Sequence, residues 1–327
     1  MSEINTDVLV VGAGPAGSSA ATYAARAGRQ VVLIDSAIFP RDKPCGDGLT
    51  PRAIAELNAI GLSEWLSGRA RNKGLRAAGF GQELLLPWPG GSLPNYGGAA
   101  PRMELDEQIM LIAKTAGATV LEGHSATDVV MDAGAIKSVI VKTETGTVTI
   151  NANSVIIADG ARSQLGRKLG REWHRDTAYG VAARGYIKSE RHDDPWISSH
   201  LELRDDKNEI LSGYGWIFPL ANGEVNVGVG TLATNKRPAD VNLRALMNTY
   251  ADQQREDWKL SGEIRMPWSF LLPMGGAVSG IAGKNFMFIG DAAGCVNPLN
   301  GEGIDYGLET GRLAAQMLET ETDFTVA

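Results

Sequence analysis

Apolar positions in this chain gather into short unbroken runs more often than they alternate with polar ones. The first run, in TDVLVVG at residues 6–12, reads as a strand buried on both faces, the pattern of a parallel sheet. A helix is predicted to begin at once, near Pro15, and a second run, QVVLID, closes on Asp35. Two more runs lie far downstream. SVII leads into Asp159 and Gly160, and FMFI runs into Gly290 and Asp291, after which another helix start is predicted. Strand and helix patterns over residues 1–60, 102–165 and from 284 onward predict one α/β nucleotide-binding domain built from separated segments.

The residues between follow another pattern. LELRDDKNEILSGYGWIFPLANGEVNVGVGTLA shows strand-length apolar stretches broken at Asp205-Asp206 and at Asn222-Gly223, a hairpin signal. Residues 75–88 and 177–188 add strands, and ADVNLRALMNTYADQQRE reads as an amphipathic helix with Val241, Leu243, Leu246 and Tyr250 near one side. The expected class is α/β: a Rossmann-like nucleotide-binding domain carrying an inserted, mainly antiparallel β-sheet substrate domain, with the catalytic cleft between them. The nucleotide domain is drawn from residues 1–75, 100–170 and 280–327, the substrate domain from 76–99 and 171–279.

Composition narrows the function. A chain of 327 residues with 43% apolar content can bury a sizeable core. The net charge of -7, with no cluster of Lys and Arg, argues against a nucleic-acid partner. No apolar run approaches the roughly 18 residues of a membrane span. The start of the chain lacks the layout of a signal peptide, so a cytoplasmic protein is expected. Two cysteines, Cys45 and Cys295, do not make a disulfide framework, and His124, His174, His192 and His200 lack ligand spacing. No metal is expected.

The candidate chemistry begins at the first turn. Gly12, Gly14 and Gly17 fit G-x-G-x-x-G, which gives a tight turn, close backbone approach to a pyrophosphate and close helix-on-strand packing. With Pro15 and Ala16 they open a helix whose free N–H groups and dipole attract phosphate. Asp35, followed by Ser36, is placed to accept from ribose hydroxyls and disfavours a 2′-phosphate. The ends at Asp159-Gly160 and Gly290-Asp291 would each pass for ordinary turns alone. Together the three point to one long dinucleotide lying across several strand ends, and FAD is longer than NAD.

These marks resemble FAD enzymes of the p-hydroxybenzoate hydroxylase-like fold, and within them the geranylgeranyl reductase family. KPCGDGLTPRAI, around Cys45, Gly46 and Gly48, is similar to the family's cysteine-glycine segment, which implies that Cys45 and Gly46 lie at the cofactor, and GYGWIFP, from Gly213 to Pro219, is similar to its Gly-Trp-x-Phe-Pro motif. PRMELDEQIM, with Arg102 and Asp106, looks like the segment whose arginine approaches the flavin. NPLNGEGI, with Pro298, Gly301, Gly303 and Ile304, looks like the loop that meets the flavin ring and its pyrimidine end. The resemblance spans nearly the whole chain. Family members continue beyond the helix after the Gly-Asp motif, whereas this chain ends at Ala327, so the resemblance implies that a segment covering the substrate domain is missing.

The resemblance implies hydride transfer from reduced FAD to an isolated double bond of a polyprenyl chain, carried by a geranylgeranyl lipid or by menaquinone. An unactivated alkene accepts hydride poorly, so a proton donor must stand about 3 Å from the reacting carbon. Cys45 is the first candidate and Tyr214 the second. Trp216, Phe218 and Pro219, with Trp88, Trp268 and Phe270, are expected to supply an apolar groove for the lipid. No second G-x-G-x-x-G is present, so either NAD(P)H docks transiently or an electron-donor protein reduces the flavin. A bilayer substrate implies peripheral contact with the inner face of the cell membrane. Two rival readings are an FAD-dependent aromatic monooxygenase and a flavin-binding subunit inactive without a partner or the missing segment.

Overall fold

The computed structural model describes residues 2–205 and 207–326; Asp206, at one predicted hairpin break, lies outside the described residues. The chain runs through β1 (Ser2–Val11), α1 (Pro15–Arg26), β2 (Val31–Ile34), β3 (Gly74–Gly79), β4 (Gln82–Pro87), α2 (Arg102–Thr115) and β5 (Thr119–Leu121). Next come β6 (Ser125–Asp132), β7 (Ala135–Thr143), β8 (Gly146–Ile157), β9 (Tyr179–Ser189), β10 (Trp196–His200), β11 (Gly213–Pro219) and β12 (Glu224–Ala233). The last elements are α3 (Leu243–Gln253), β13 (Leu260–Leu272), β14 (Ala282–Gly283), β15 (Phe286–Phe288) and α4 (Ile304–Thr320). They fall into two compact units. Unit 1 holds Met1–Arg41, Met103–Thr177 and Pro273–Ala327, and unit 2 holds Asp42–Arg102 and Ala178–Leu272.

Among the described residues, eight strands form the sheet of unit 1, in the order β14-β15-β8-β1-β2-β5, with β7 on β8 and β6 on β7. The neighbours from β15 to β5 run parallel, which explains the unbroken apolar runs. Successive residues of β1 enter opposite clusters. Val8 and Val10 pack with Ala20, Ala21 and Ala24 of α1 and Ala314, Ala315 and Leu318 of α4, whereas Leu9 and Val11 pack with Val139, Ile150 and Ile157. Each buried Val or Leu contributes about 1.5–3 kcal/mol. Helices α1 and α4 touch at backbone distance: a Cβ on Gly311 would stand 2.3 Å from the Ala16 carbonyl oxygen, and the Ser19 hydroxyl donates to Leu308 O at 2.8 Å.

Unit 2 is built on a seven-stranded sheet in the order β13-β9-β12-β11-β10-β3-β4, antiparallel except where β10 meets β3. The break at Asn222-Gly223 is the β11–β12 turn, with Ala221 at φ 57° and Gly223 at φ 93°. At the other break an isolated bridge forms among the described residues, Arg204 to Ile210. Leu246, Met247, Tyr250 and Ala251 are the buried face of α3, packed on Ala183, Ile217, Val227 and Val229. Val241 and Leu243, predicted on that face, are partly buried against it.

The segment 42–75, read in the sequence as part of the nucleotide domain, belongs to unit 2. Its backbone pairs there: Gly48–Leu49 and Ala70–Asn72 flank Gly97–Ala99, and Lys73 N donates to Pro195 O at 2.7 Å. Residues 171–177 and 273–279 belong to unit 1, where Glu172–Trp173 pairs with Val278–Ser279.

Candidate functional site: a nucleotide cradle and a clamped cysteine loop

In unit 1, β1 passes to α1 through the glycine turn, and the three glycines differ in what demands them. Gly12 has φ 102°, and a Cβ on it would lie 2.3 Å from Ala158 O; one on Gly17 would lie 1.8 Å from Gly12 O. Packing of the protein itself requires both. A Cβ on Gly14 would meet only Arg41 Nη2, at an ordinary 3.6 Å. The space beside Gly14 therefore lies at the start of α1, which has no side-chain cap, and it fits a pyrophosphate bound by backbone N–H groups. Arg41, which the sequence reading did not single out, stands at this turn and is held by the Asp106 carboxylate at 2.7 Å. Asp35 is fixed by two backbone donors, Ala13 N on Oδ2 and Ala37 N on Oδ1, each at 2.8 Å. Ser36 beside it is exposed.

The other two strand ends lie in the same unit. Asp159 Oδ2 accepts from Leu165 N at 3.3 Å, while buried Oδ1 has no partner. Burial raises this carboxyl above its ordinary range. An orphaned acceptor here fits a nucleotide hydroxyl, and Gly160, with φ 80° and nothing within 4 Å of a Cβ, leaves its approach open. Gly290 has φ 57°, and a Cβ on it would meet that of Ala16 at 2.8 Å, so this strand end abuts α1. The helix predicted directly after Gly290-Asp291 is a single 3-10 turn, Gly290–Ala293. The long helix starts later, at Ile304, after the loop of Pro298, Gly301 and Gly303, because Gly294 at φ 68° ends the first turn. Cys295 is a neutral thiol at ordinary pH, pushed up to about 11 by burial and then by Asp291.

Cys45, Gly46 and Arg102, expected beside the cofactor, belong to unit 2, where the Cys45 loop rests on strands β9, β11 and β12. Arg184 of β9 is fully buried. It donates to Cys45 O and Met266 O at 3.2 Å, to Lys43 O at 3.2 Å and to Asp42 Oδ1 at 2.6 Å. Asn226 of β12 donates from one amide to Cys45 O and to Asp47 Oδ2, both at 2.9 Å. Trp216 Nε1 fixes that amide by donating to its oxygen at 2.9 Å. A Cβ on Gly46 or Gly48 would touch the Phe218 ring at 3.1 or 3.0 Å, so the loop lies flat against the aromatic strand.

Trp216 and Pro219 are buried, whereas Phe218 and Tyr214 are half-buried, with the Tyr214 ring 6.1 Å from that of Trp216. Of the other aromatics, Trp268 is half exposed and Trp88 donates to Asn72 Oδ1 at 2.7 Å. Both cysteines are free thiols. The sequence reading missed Asp47, Arg184, Tyr186 and Asn226. Its available signal was a polar residue inside an apolar strand, as in YGVAARGYIKS and EVNVGVG.

A glycine turn with open space at Gly14, a carboxylate fixed at the end of β2 and two further strand ends in one unit define a dinucleotide-binding fold. The FAD binding domain family matches residues 5–320, and the chain belongs to that family. It is similar to menaquinone reductase of Mycobacterium tuberculosis, with 58% identity over 316 residues, which is 97% of this chain and 77% of that protein. It is also similar to digeranylgeranylglycerophospholipid reductase 1 of Methanopyrus kandleri, with 30% identity across 95% of this chain and 80% of that one. Among solved structures, a geranylgeranyl bacteriochlorophyll reductase-like protein of Thermoplasma acidophilum aligns at a TM-score of 0.83. The two share 25% identity over 97% of this chain and 80% of that one. FAD is the cofactor, and the α/β FAD-binding fold and the geranylgeranyl reductase resemblance both stand.

Proposed function

We propose that the chain is an FAD-dependent reductase that saturates a carbon-carbon double bond in a polyprenyl lipid, with the side chain of a menaquinone as substrate. The 58% identity to a menaquinone reductase across 97% of the chain carries this reading. Bound FAD, once reduced, supplies the hydride. The Gly12–Gly17 turn and Arg41 would hold the pyrophosphate, and Asp35 and Asp159 would accept from the hydroxyls of the cofactor. Cys45 holds the proton at Sγ and gives it to the second alkene carbon, so one hydride and one proton complete the saturation. Its carbonyl is gripped by Arg184 and Asn226, which sets the thiol's direction through the backbone. Phe218, with Trp216 and Pro219 behind the loop, keeps this surface apolar, and Tyr214 is the second proton source.

Electrons come from transiently docked NAD(P)H or from a donor protein. Phe80, Leu84, Leu85 and Leu86, all exposed on the β3–β4 hairpin, support peripheral contact with the inner face of the membrane. Among the described residues no helix is long and apolar enough to cross it.

The test is to reduce the FAD-loaded protein anaerobically with dithionite and add menaquinone with an unsaturated tail. Flavin reoxidation without oxygen, with a product two hydrogens heavier, is expected; reoxidation only on admitting air favours the aromatic monooxygenase instead. Cys45→Ser is expected to lower turnover by about 100-fold while leaving the flavin spectrum in place.

A further inference from the structure

Asp47 is a carboxylate with an unusual position. It is fully buried, its backbone is at φ 63°, and it follows Cys45 by two residues. One oxygen, Oδ2, accepts from the Tyr186 hydroxyl at 2.7 Å and from Asn226 Nδ2 at 2.9 Å. The other, Oδ1, has no partner. Buried and unpartnered, Oδ1 penalises the anion more than the neutral acid. The Asn226 amide that reaches Oδ2 is also the one that holds the Cys45 carbonyl. Any change in the pull of Asp47 on that amide reaches the loop.

We propose that Asp47 is a positioning residue for Cys45, and that by gaining or losing its proton beside Tyr186 and Asn226 it sets how firmly the Cys45 loop is held. Its surroundings in unit 2 are Arg184 and Tyr186 from β9, Asn226 from β12, Arg102 at the first residue of α2, and Asp42, which pairs with Arg184 in its own loop. Burial pushes the carboxyl up to about 6, against the pull of Tyr186, Asn226, Arg184 and Arg102. The ionised form draws both donors into charge-assisted bonds, which are about twice as strong as neutral ones. These bonds do not outweigh the burial, so the loop in place binds the proton more tightly than a loop that lifts Asp47 into water, and it is firmer below that pH and looser above it. The inference rests on the proposed reaction only for its purpose, since the grip on Cys45 exists whatever the substrate.

The experiment is alkylation of the FAD-loaded protein with iodoacetamide from pH 5 to 8, following the Cys45 peptide by mass spectrometry. A thiol titrating alone gives a log rate that climbs with unit slope below its own pKa. Wild type is expected to rise above that line by about three- to tenfold through the pH window near 6, as the loop loosens. Asp47→Asn, isosteric with the neutral acid, is expected to follow the straight line. Tyr186→Phe removes a donor to the anion and is expected to move the bend to higher pH, a second check should the asparagine variant fail to fold. A straight line in wild type, or the same bend in Asp47→Asn, overturns the proposal. Loss of menaquinone reduction with the bend intact overturns the proposed function alone.

Discussion

Gly14 is the residue at which cofactor and protein can be separated. Packing demands Gly12 and Gly17, whose added Cβ atoms would meet carbonyl oxygens at 2.3 and 1.8 Å, but leaves ordinary space at Gly14. Gly14→Ala is expected to leave the thermal midpoint of the flavin-free protein unchanged and to weaken FAD binding by about tenfold or more, as a methyl displaces the pyrophosphate. Gly17→Ala is expected to lower both. Calorimetry on flavin-free protein and flavin titration check the pair. The glycines and Asp35 were legible because strand, turn, helix and acid follow within 30 residues, in an order that local pattern can display. Asp47 was not. Its partners Tyr186 and Asn226 lie 139 and 179 residues away, and nothing near Asp47 in the sequence announces them.

Elements read well where one chain segment settles their environment. The apolar runs of β1 and β2 predicted parallel strands because both of their faces are buried, and the Asn222-Gly223 pair placed the β11–β12 turn. Reading failed where a neighbour decides. The start of the last helix moved from Gly290 to Ile304 because Gly294 ends the first turn, and segment 42–75 joined unit 2 because its pairing partners lie there. The contact of α1 with α4 makes an element-scale test. Gly311→Leu forces side-chain volume against Ala16 O and the Ser19 Cβ, at 2.3 and 2.8 Å. It is expected to destabilise unit 1 by about 1–3 kcal/mol, the usual cost of overpacking, read as a lower urea midpoint. FAD binding is expected to weaken with it, since α1, against which the new side chain presses, carries the glycine turn.

For the molecule as a whole, buried Asp47 and half-buried His200 of unit 2 push stability in opposite directions with pH. His200, hydrogen-bonded to the Tyr250 hydroxyl, is lowered from 6.5 to about 4, first by burial and then by Arg76. The unfolded chain thus takes up this proton first as pH falls, so stability drops from pH 6.5 towards 4. Asp47, raised from 3.8 to about 6 by burial, keeps its proton in the fold where the unfolded chain has lost it, so stability drops as pH rises across that interval. The slopes oppose between about pH 4 and 6. Urea midpoints in that window are expected to fall more steeply with acid in Asp47→Asn than in wild type, and to fall with rising pH in His200→Asn. A final consequence comes from the divided sheet of unit 1. A ribosome releases residues in order, and β1, at Ser2–Val11, finds its partner β8 only when Gly146–Ile157 emerges. The neighbour of β8 on its other side, β15 at Phe286–Phe288, arrives after Leu272, the last residue of unit 2. During synthesis the inserted unit is complete while its host still waits for its last strand and helix, leaving half-made parallel strands with apolar faces in need of shelter.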